Sequence, residues 1–172
     1  VDLEAVTGQL ETPLLMFFIS LFIVIGGVER SGLLQEIGEV MRPLIQGQPM
    51  VAAISLLWIA AILSALIDNI PFTAAMIPVL ASLQSKGIDV SVMWWALAMG
   101  VGMGGNGSHI GSTANVYIVT LSERLAKQTG DASMAITPGL WFRKGTPAML
   151  LSLVACTLFI FFGFDYLSID LR

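Results

Sequence analysis

From Val90 to Ser122 the chain carries no Asp, Glu, Lys or Arg, and in the middle of that stretch stands Gly104-Gly105-Asn106-Gly107-Ser108-His109-Ile110-Gly111-Ser112-Thr113-Ala114-Asn115. An uncharged run of this length belongs in apolar surroundings. Yet the four glycines between 104 and 111 do not support an ordinary helix, since each costs about 1 kcal/mol relative to Ala. Irregular backbone at membrane depth persists only where it is buried in protein or lines a polar cavity. A spanning helix broken by Gly and Asn at mid-depth is a known way of building a substrate or ion site. The alternative is two short helices joined by a surface turn, but such a turn has little use for this many amides and hydroxyls between two apolar arms.

The rest of the composition agrees with a bilayer setting. The chain is 56% hydrophobic and 12% charged, with a mean hydropathy of +0.85, whereas an average soluble domain is about a quarter charged. The fold class is therefore an all-α, multi-pass membrane protein. The net charge of −4 constrains no substrate, because the charges lie in loops. No basic patch supports nucleic-acid binding. Cys156 lies in an apolar run and reads as packing. Gly102, Gly104, Gly105 and Gly107 imitate a dinucleotide fingerprint, but no strand precedes them and no acidic partner follows at the required distance. With no Cys/His cluster and no nucleophile–base pair, the chain reads as no enzyme. It calls for no cofactor beyond a possible Na⁺ as coupling ion.

Taken in order, the chain opens with acidic polypeptide, as though an N-terminal portion preceded it, and then runs apolar from Thr12 to Val28, long enough for a span. Leu33, Leu34, Ile37, Val40, Met41 and Leu44 fall at helical spacing with Gln35, Glu36, Glu39 and Arg42 opposite, which predicts an amphipathic interfacial helix. A strongly helical run from Val51 is interrupted at Asp68-Asn69, and a second arm, Pro71 to Leu83, is only roughly 20 Å long, short of the hydrocarbon core. The two arms therefore predict a re-entrant hairpin with Asp68 or Asn69 capping the second arm and Pro71 in its first turn. Val90 to Met103 is the first half of the broken helix; Ser112 or Thr113 caps a second half running to about Lys127. Gln128 to Trp141 reads as a polar loop, and Thr146 to Phe164 as the last span before a short acidic tail. By domain, residues 1–49 hold a scaffold helix and the interfacial helix. Residues 50–130 hold half of a transport domain (hairpin 50–84, broken helix 90–127), and 131–172 the loop and last span. Arg124, Lys127, Arg143 and Lys144 cluster against Arg30, Arg42 and Lys86 on the other side, which favours a cytoplasmic 124–144 loop.

Asp68 is the only acidic residue within the embedded segments, and an intramembrane carboxylate marks a functional site by default. With Asn69 and Thr73 it forms the hairpin side of a candidate ion or substrate site. Gly105, Asn106, Ser108, Ser112, Thr113 and Asn115 form the broken-helix side, where neutral oxygens suit Na⁺ and helix N-termini suit an anion. Asp68 is a counter-charge for a cation (Na⁺ at Asp68, Asn69, Asn106 and Asn115) or a proton carrier; alternatively it is only a cap. His109, the single histidine, is a second proton-coupling candidate, against the plainer reading of a hydrogen-bonded structural residue. Trp94, Trp95, Trp141 and Phe142 read as interface anchors.

Ile67-Asp68-Asn69-Ile70-Pro71-Phe72-Thr73, then Gly104-Gly105-Asn106-Gly107-Ser108 with Ile110-Gly111-Ser112-Thr113-Ala114-Asn115, resembles the ion transporter superfamily. The similarity is to the branch holding the arsenite permeases, the melanosomal P protein and related Na⁺/H⁺ antiporters. Phe142-Arg143-Lys144-Gly145-Thr146-Pro147 resembles that branch's entry into its last span. The resemblance implies two inverted repeats, each with a re-entrant hairpin and a broken helix, an ion site between hairpin tips and helix breaks, a homodimer, and an elevator-like movement. This sequence is similar to the second repeat only, so either a longer chain or a half-size protein that pairs is expected. His109 departs from the small or apolar residue expected there.

The expectation is thus a Na⁺- or H⁺-coupled secondary active transporter in a bacterial plasma membrane, exchanging a small ion. One alternative is Na⁺-coupled transport of a small organic anion such as a dicarboxylate. Another is an assembly subunit with no transport of its own, in which Asp68 caps and the glycines pack.

Overall fold

The computed structural model describes residues 12–168, and every regular element among them is helical. Seven α-helices follow one another: α1 Thr12–Arg30, α2 Leu33–Gly47, α3 Pro49–Leu66, α4 Asn69–Ser85, α5 Ser91–Gly104, α6 Thr113–Thr129 and α7 Pro138–Leu167. Single 3₁₀ turns occupy Gly105–Gly107 and Ala132–Met134. The acidic opening and the acidic tail read from the sequence lie outside the described residues.

The core is built on α3 and α5. Proline at the first position starts α3, where its missing N–H does no harm. The helix is apolar all round, as a helix buried among others must be, and Ala53, Leu57, Ala60 and Ala61 are fully buried. Gly100 of α5 lies on the Leu57 carbonyl and the Ala60 Cβ, and Gly104 lies on the backbone of Ala61. The constant offset of these pairs means that α3 and α5 run parallel. A Cβ at either glycine would overlap α3 backbone, so the two helices meet at the distance that small residues allow membrane helices.

The last helix runs the other way. Met149 packs at Gly107, Trp58 Nε1 donates to Thr157 Oγ1 at 3.1 Å, and Phe164 lines a cavity of about 430 Å³ with Pro49 and Val92. Gly87 and Ile88, just past the end of α4, line the same cavity, so α3 and α4 form a helical hairpin. The bundle thus has a mouth, where α3 and α5 begin, and a tip, where they end.

Amphipathic α2 lies against the returning arm of the hairpin. Leu34, Gly38 and Ile45 are buried, with Gly38 facing Val79 and Leu83, while Val40 is 78% exposed. The apolar face predicted as one stripe is therefore two. One side seats the helix on the protein, and Leu33, Val40 and Leu44 remain outside. Lys86 Nζ reaches Glu39 Oε1 at 2.6 Å, and the Lys86 hydrogen bond and charge hold the Glu39 carboxyl below its usual range.

Several boundaries differ from the sequence expectation. The second hairpin arm begins at Asn69 and ends at Ser85, 17 residues or roughly 26 Å, because Asp68 caps it three residues ahead of Pro71. The polar loop expected through Trp141 stops at Thr137, whose side chain accepts from Leu140 N at 3.2 Å with Pro138 at the first helical position. Pro138-Gly139 thus starts a helix and is not part of the loop, and Arg143 and Lys144 lie in α7 and not in a loop. Gly130, at φ 72°, closes α6 after Thr129. Among the described residues Pro49–Leu66 and the stretch Ala132–Leu167 are long and apolar enough to cross a membrane.

Candidate ion site at the hairpin tip and helix break

At the tip, four helix ends meet. The carboxyl ends of α3 and α5 arrive side by side, and the amino ends of α4 and α6 leave from the same place. Their connections are short: Ile67-Asp68 between α3 and α4, and residues 105–112 between α5 and α6.

Asp68 joins the two connections. Its Oδ1 accepts from Ile70 N at 3.3 Å, capping α4. Its Oδ2 accepts from Thr113 N at 3.2 Å and from Thr113 Oγ1. The half-buried carboxylate therefore sits at the first turns of both helices. Ser112 caps α6 in its own right, accepting from Ala114 N at 3.2 Å.

Side chains converge on the carbonyls around the break, as an apolar setting demands, adding to the backbone bonds from Gly105 N to the Val101 carbonyl and from Gly111 N to that of Ser108. Ser64, fully buried, shares its hydroxyl proton between Asn69 Oδ1 and the Val101 carbonyl, the latter at 2.9 Å. Ser108 Oγ donates to the Ala65 carbonyl. Asn115 Nδ2 donates to the Gly105 carbonyl at 2.7 Å and to that of Ser108 at 3.2 Å. From α7, Trp141 Nε1 donates to the Asn106 carbonyl at 2.9 Å, and Thr146 Oγ1 to that of Gly107 at 2.8 Å.

Close approach explains the glycines. The Asn69 side chain covers Gly105, so that a Cβ there would meet Oδ1 at 2.9 Å. Gly111 is pressed onto the Gly105 and Ser64 carbonyls.

The predicted residues are thus distributed unevenly. Asp68, Asn69, Gly105, Ser108, Thr113 and Asn115 are brought into one network. Ser112 serves as the α6 cap beside it. Thr73 donates to the Asn69 carbonyl at 2.8 Å, one turn back within α4. Asn106 is exposed, and no hydrogen bond among the described residues ties its side chain to the hairpin. His109 is half-buried with Nδ1 unpartnered, its ring edge-on to Phe142 at 6.5 Å between centroids.

Three participants escaped the sequence reading. Ser64 looked like one more small residue in an apolar helix, although a hydroxyl five residues before Asn69 is within reach of a tip. Thr146 and Trp141 were legible only as the edge of a span, because what they bind lies some forty residues away in the chain.

A helical bundle with an apolar exterior and an internally satisfied polar break is the architecture of a membrane-embedded protein. The first 100 residues match the profile of the citrate transporter family, and the chain belongs to that family. It is 37% identical to the human P protein over 164 residues, which are 91% of this chain and 18% of that protein. It is 30% identical to an uncharacterized transporter of Mycobacterium tuberculosis over 89% of this chain and 35% of the other. Against the 46 kDa membrane protein of Mycobacterium leprae the identity is 27%, over 90% of this chain and 35% of the relative. The chain therefore spans about a fifth of the length of the P protein and about a third of the mycobacterial relatives. No solved structure matches it significantly.

Proposed function

We propose that this chain forms one ion-binding half of a secondary active transporter, coupled to Na⁺ or H⁺ and exchanging a small ion across the membrane. One observation carries the reading: the Asp68 carboxylate bridges the hairpin and the broken helix. Among the described residues it forms no ion pair with Lys or Arg. A negative charge without a basic partner, held among amide and hydroxyl oxygens on unwound backbone, suits a small cation or a proton. In this reading the hairpin is re-entrant, the functional unit is a homodimer with a further repeat completing the site, and His109 is a subsidiary proton carrier.

The second reading, uptake of a small organic anion, draws support from the family's description as citrate transporters and from the two helix N-termini at the tip.

Ligand binding to the folded state raises its stability by mass action, so Na⁺ should raise the melting temperature of the purified protein saturably, and Asp68→Asn should abolish that rise while the protein still melts cooperatively. In proteoliposomes the same variant should lose coupled flux. Full flux and an unchanged Na⁺ response in Asp68→Asn would remove Asp68 from the site.

A further inference from the structure

Basic side chains are treated differently at the two ends of the molecule. At the mouth, Lys86 and Arg42 both lie on Glu39. Beyond the tip, from Glu123 to Lys144, stand four basic residues, Arg124, Lys127, Arg143 and Lys144, against two acidic ones. All four are exposed, and none forms an ion pair among the described residues. Of the two acids, Asp131 is committed to Ser133, accepting from its N at 2.9 Å and its Oγ at 2.7 Å.

The fold gathers the four onto one rim. Ile136 N donates to Ser122 Oγ at 3.0 Å, which holds the last turns of α6 beside the approach to α7. Trp141 and Phe142, the latter 53% exposed, stand in the same turn of α7 as Arg143 and Lys144, and the apolar span continues from there. Aromatic rings and basic side chains together at the end of a span mark the headgroup level of a bilayer.

We propose that this rim, made by the end of α6 and the start of α7, binds the phosphate headgroups of anionic phospholipids. An Arg or Lys near an anionic leaflet gains roughly fivefold in affinity, and these four have no internal carboxylate to release first. A soluble phosphate offers the same oxygens, but the aromatic pair and the span below favour a headgroup whose tails continue into the bilayer. The bound lipid also braces α6, which buries only Val119, Ser122 and Ala126 along its length.

The test uses the purified full chain in dodecyl maltoside, titrated with dioleoyl phosphatidylglycerol, with dioleoyl phosphatidylcholine, or with inorganic phosphate against chloride at matched ionic strength. Phosphatidylglycerol should raise the melting temperature saturably and slow hydrogen exchange over residues 122–129 more than in α5. Phosphatidylcholine and phosphate should do neither, and about 1 M salt, where charges are screened beyond about 3 Å, should remove the rise. Arg143→Gln with Lys144→Gln should raise the half-saturating phosphatidylglycerol by at least about tenfold. Arg124→Gln with Lys127→Gln should do the same, and serves alone if the first pair does not melt cooperatively. Arg42→Gln, at the mouth, should leave it unchanged. Equal responses to the two lipids would overturn the proposal, and so would rim variants that bind phosphatidylglycerol like wild type. A phosphate response equal to that of phosphatidylglycerol would replace the lipid by a free anion, and slowing spread evenly over all helices would place the lipid elsewhere; either result overturns the assignment.

Discussion

The two halves of the broken helix are held in opposite ways. Before the break, α5 buries Val92, Met93, Ala96, Leu97, Gly100, Val101 and Gly104 and is locked onto α3 at backbone distance. After it, α6 buries only Val119, Ser122 and Ala126, and its helical packing among the described residues is against the short turn Ala132–Met134. There Ser122 Oγ accepts from Ile136 N at 3.0 Å. What fixes α6 to the tip is polar: the Asp68–Thr113 bridge, the Ser112 cap and the Asn115 amide. Packing that admits no extra atom makes α5 part of a stiff unit, whereas a few hydrogen bonds at one end leave α6 at the low-stability end of the molecule. The break is where stiffness changes.

The largest effect should come from attacking the stiff side. Gly104→Ala puts a methyl into the Ala61 backbone and should destabilise by about 1–3 kcal/mol, the usual range for overpacking. Gly102 has open space around it, so Gly102→Ala on the same helix should be neutral or stabilising by up to about 1 kcal/mol. Thermal unfolding of the pair measures this, and equal effects would mean that close packing does not fix α5.

Next in size, Asn115→Leu removes the amide from the Gly105 carbonyl, at up to about 1–3 kcal/mol for a buried polar group left without that partner, while the Ser108 carbonyl keeps its bond from Gly111 N. Hydrogen exchange should then accelerate in the first turns of α6 and stay unchanged in α5. Equal acceleration on both sides would erase the contrast drawn between them.

The smallest effect belongs to Glu39→Gln, which loosens α2 from the far end of the hairpin. Because Lys86 lowers the Glu39 carboxyl from 4.5, its contribution is present above that value and lost as pH falls through the lowered one. Wild type and variant should therefore converge in melting temperature under acid conditions and differ slightly at neutral pH.

Much of this was legible in the sequence, and for a physical reason. Asp68, Ser112 and Thr113 act on neighbours within a few residues or on a helix end, and capping leaves a local trace. The break at 104–111 announced itself by placing glycine where no helix tolerates it. The amphipathic run after Leu33 correctly predicted a helix, but not that its apolar residues divide between two surfaces, since that depends on which side the hairpin arm takes. The start of α7 falls inside the stretch expected as a polar loop to Trp141, because the cap that begins the helix is the single hydroxyl of Thr137. The partnerships of Trp141 and Thr146 were beyond reach, because their targets are backbone carbonyls, which have no side-chain signature.

The meeting of four helix ends also bears on how fast an ion would arrive at the proposed site. Two carbonyl ends and two amide ends compensate one another within a few ångströms, so their combined field decays far more steeply than that of a single charge. A funnel lined with one sign of charge draws ligands from a distance, and salt then slows capture. At this tip the helix ends supply no such long reach. Under the proposed function they would act on an ion only at contact.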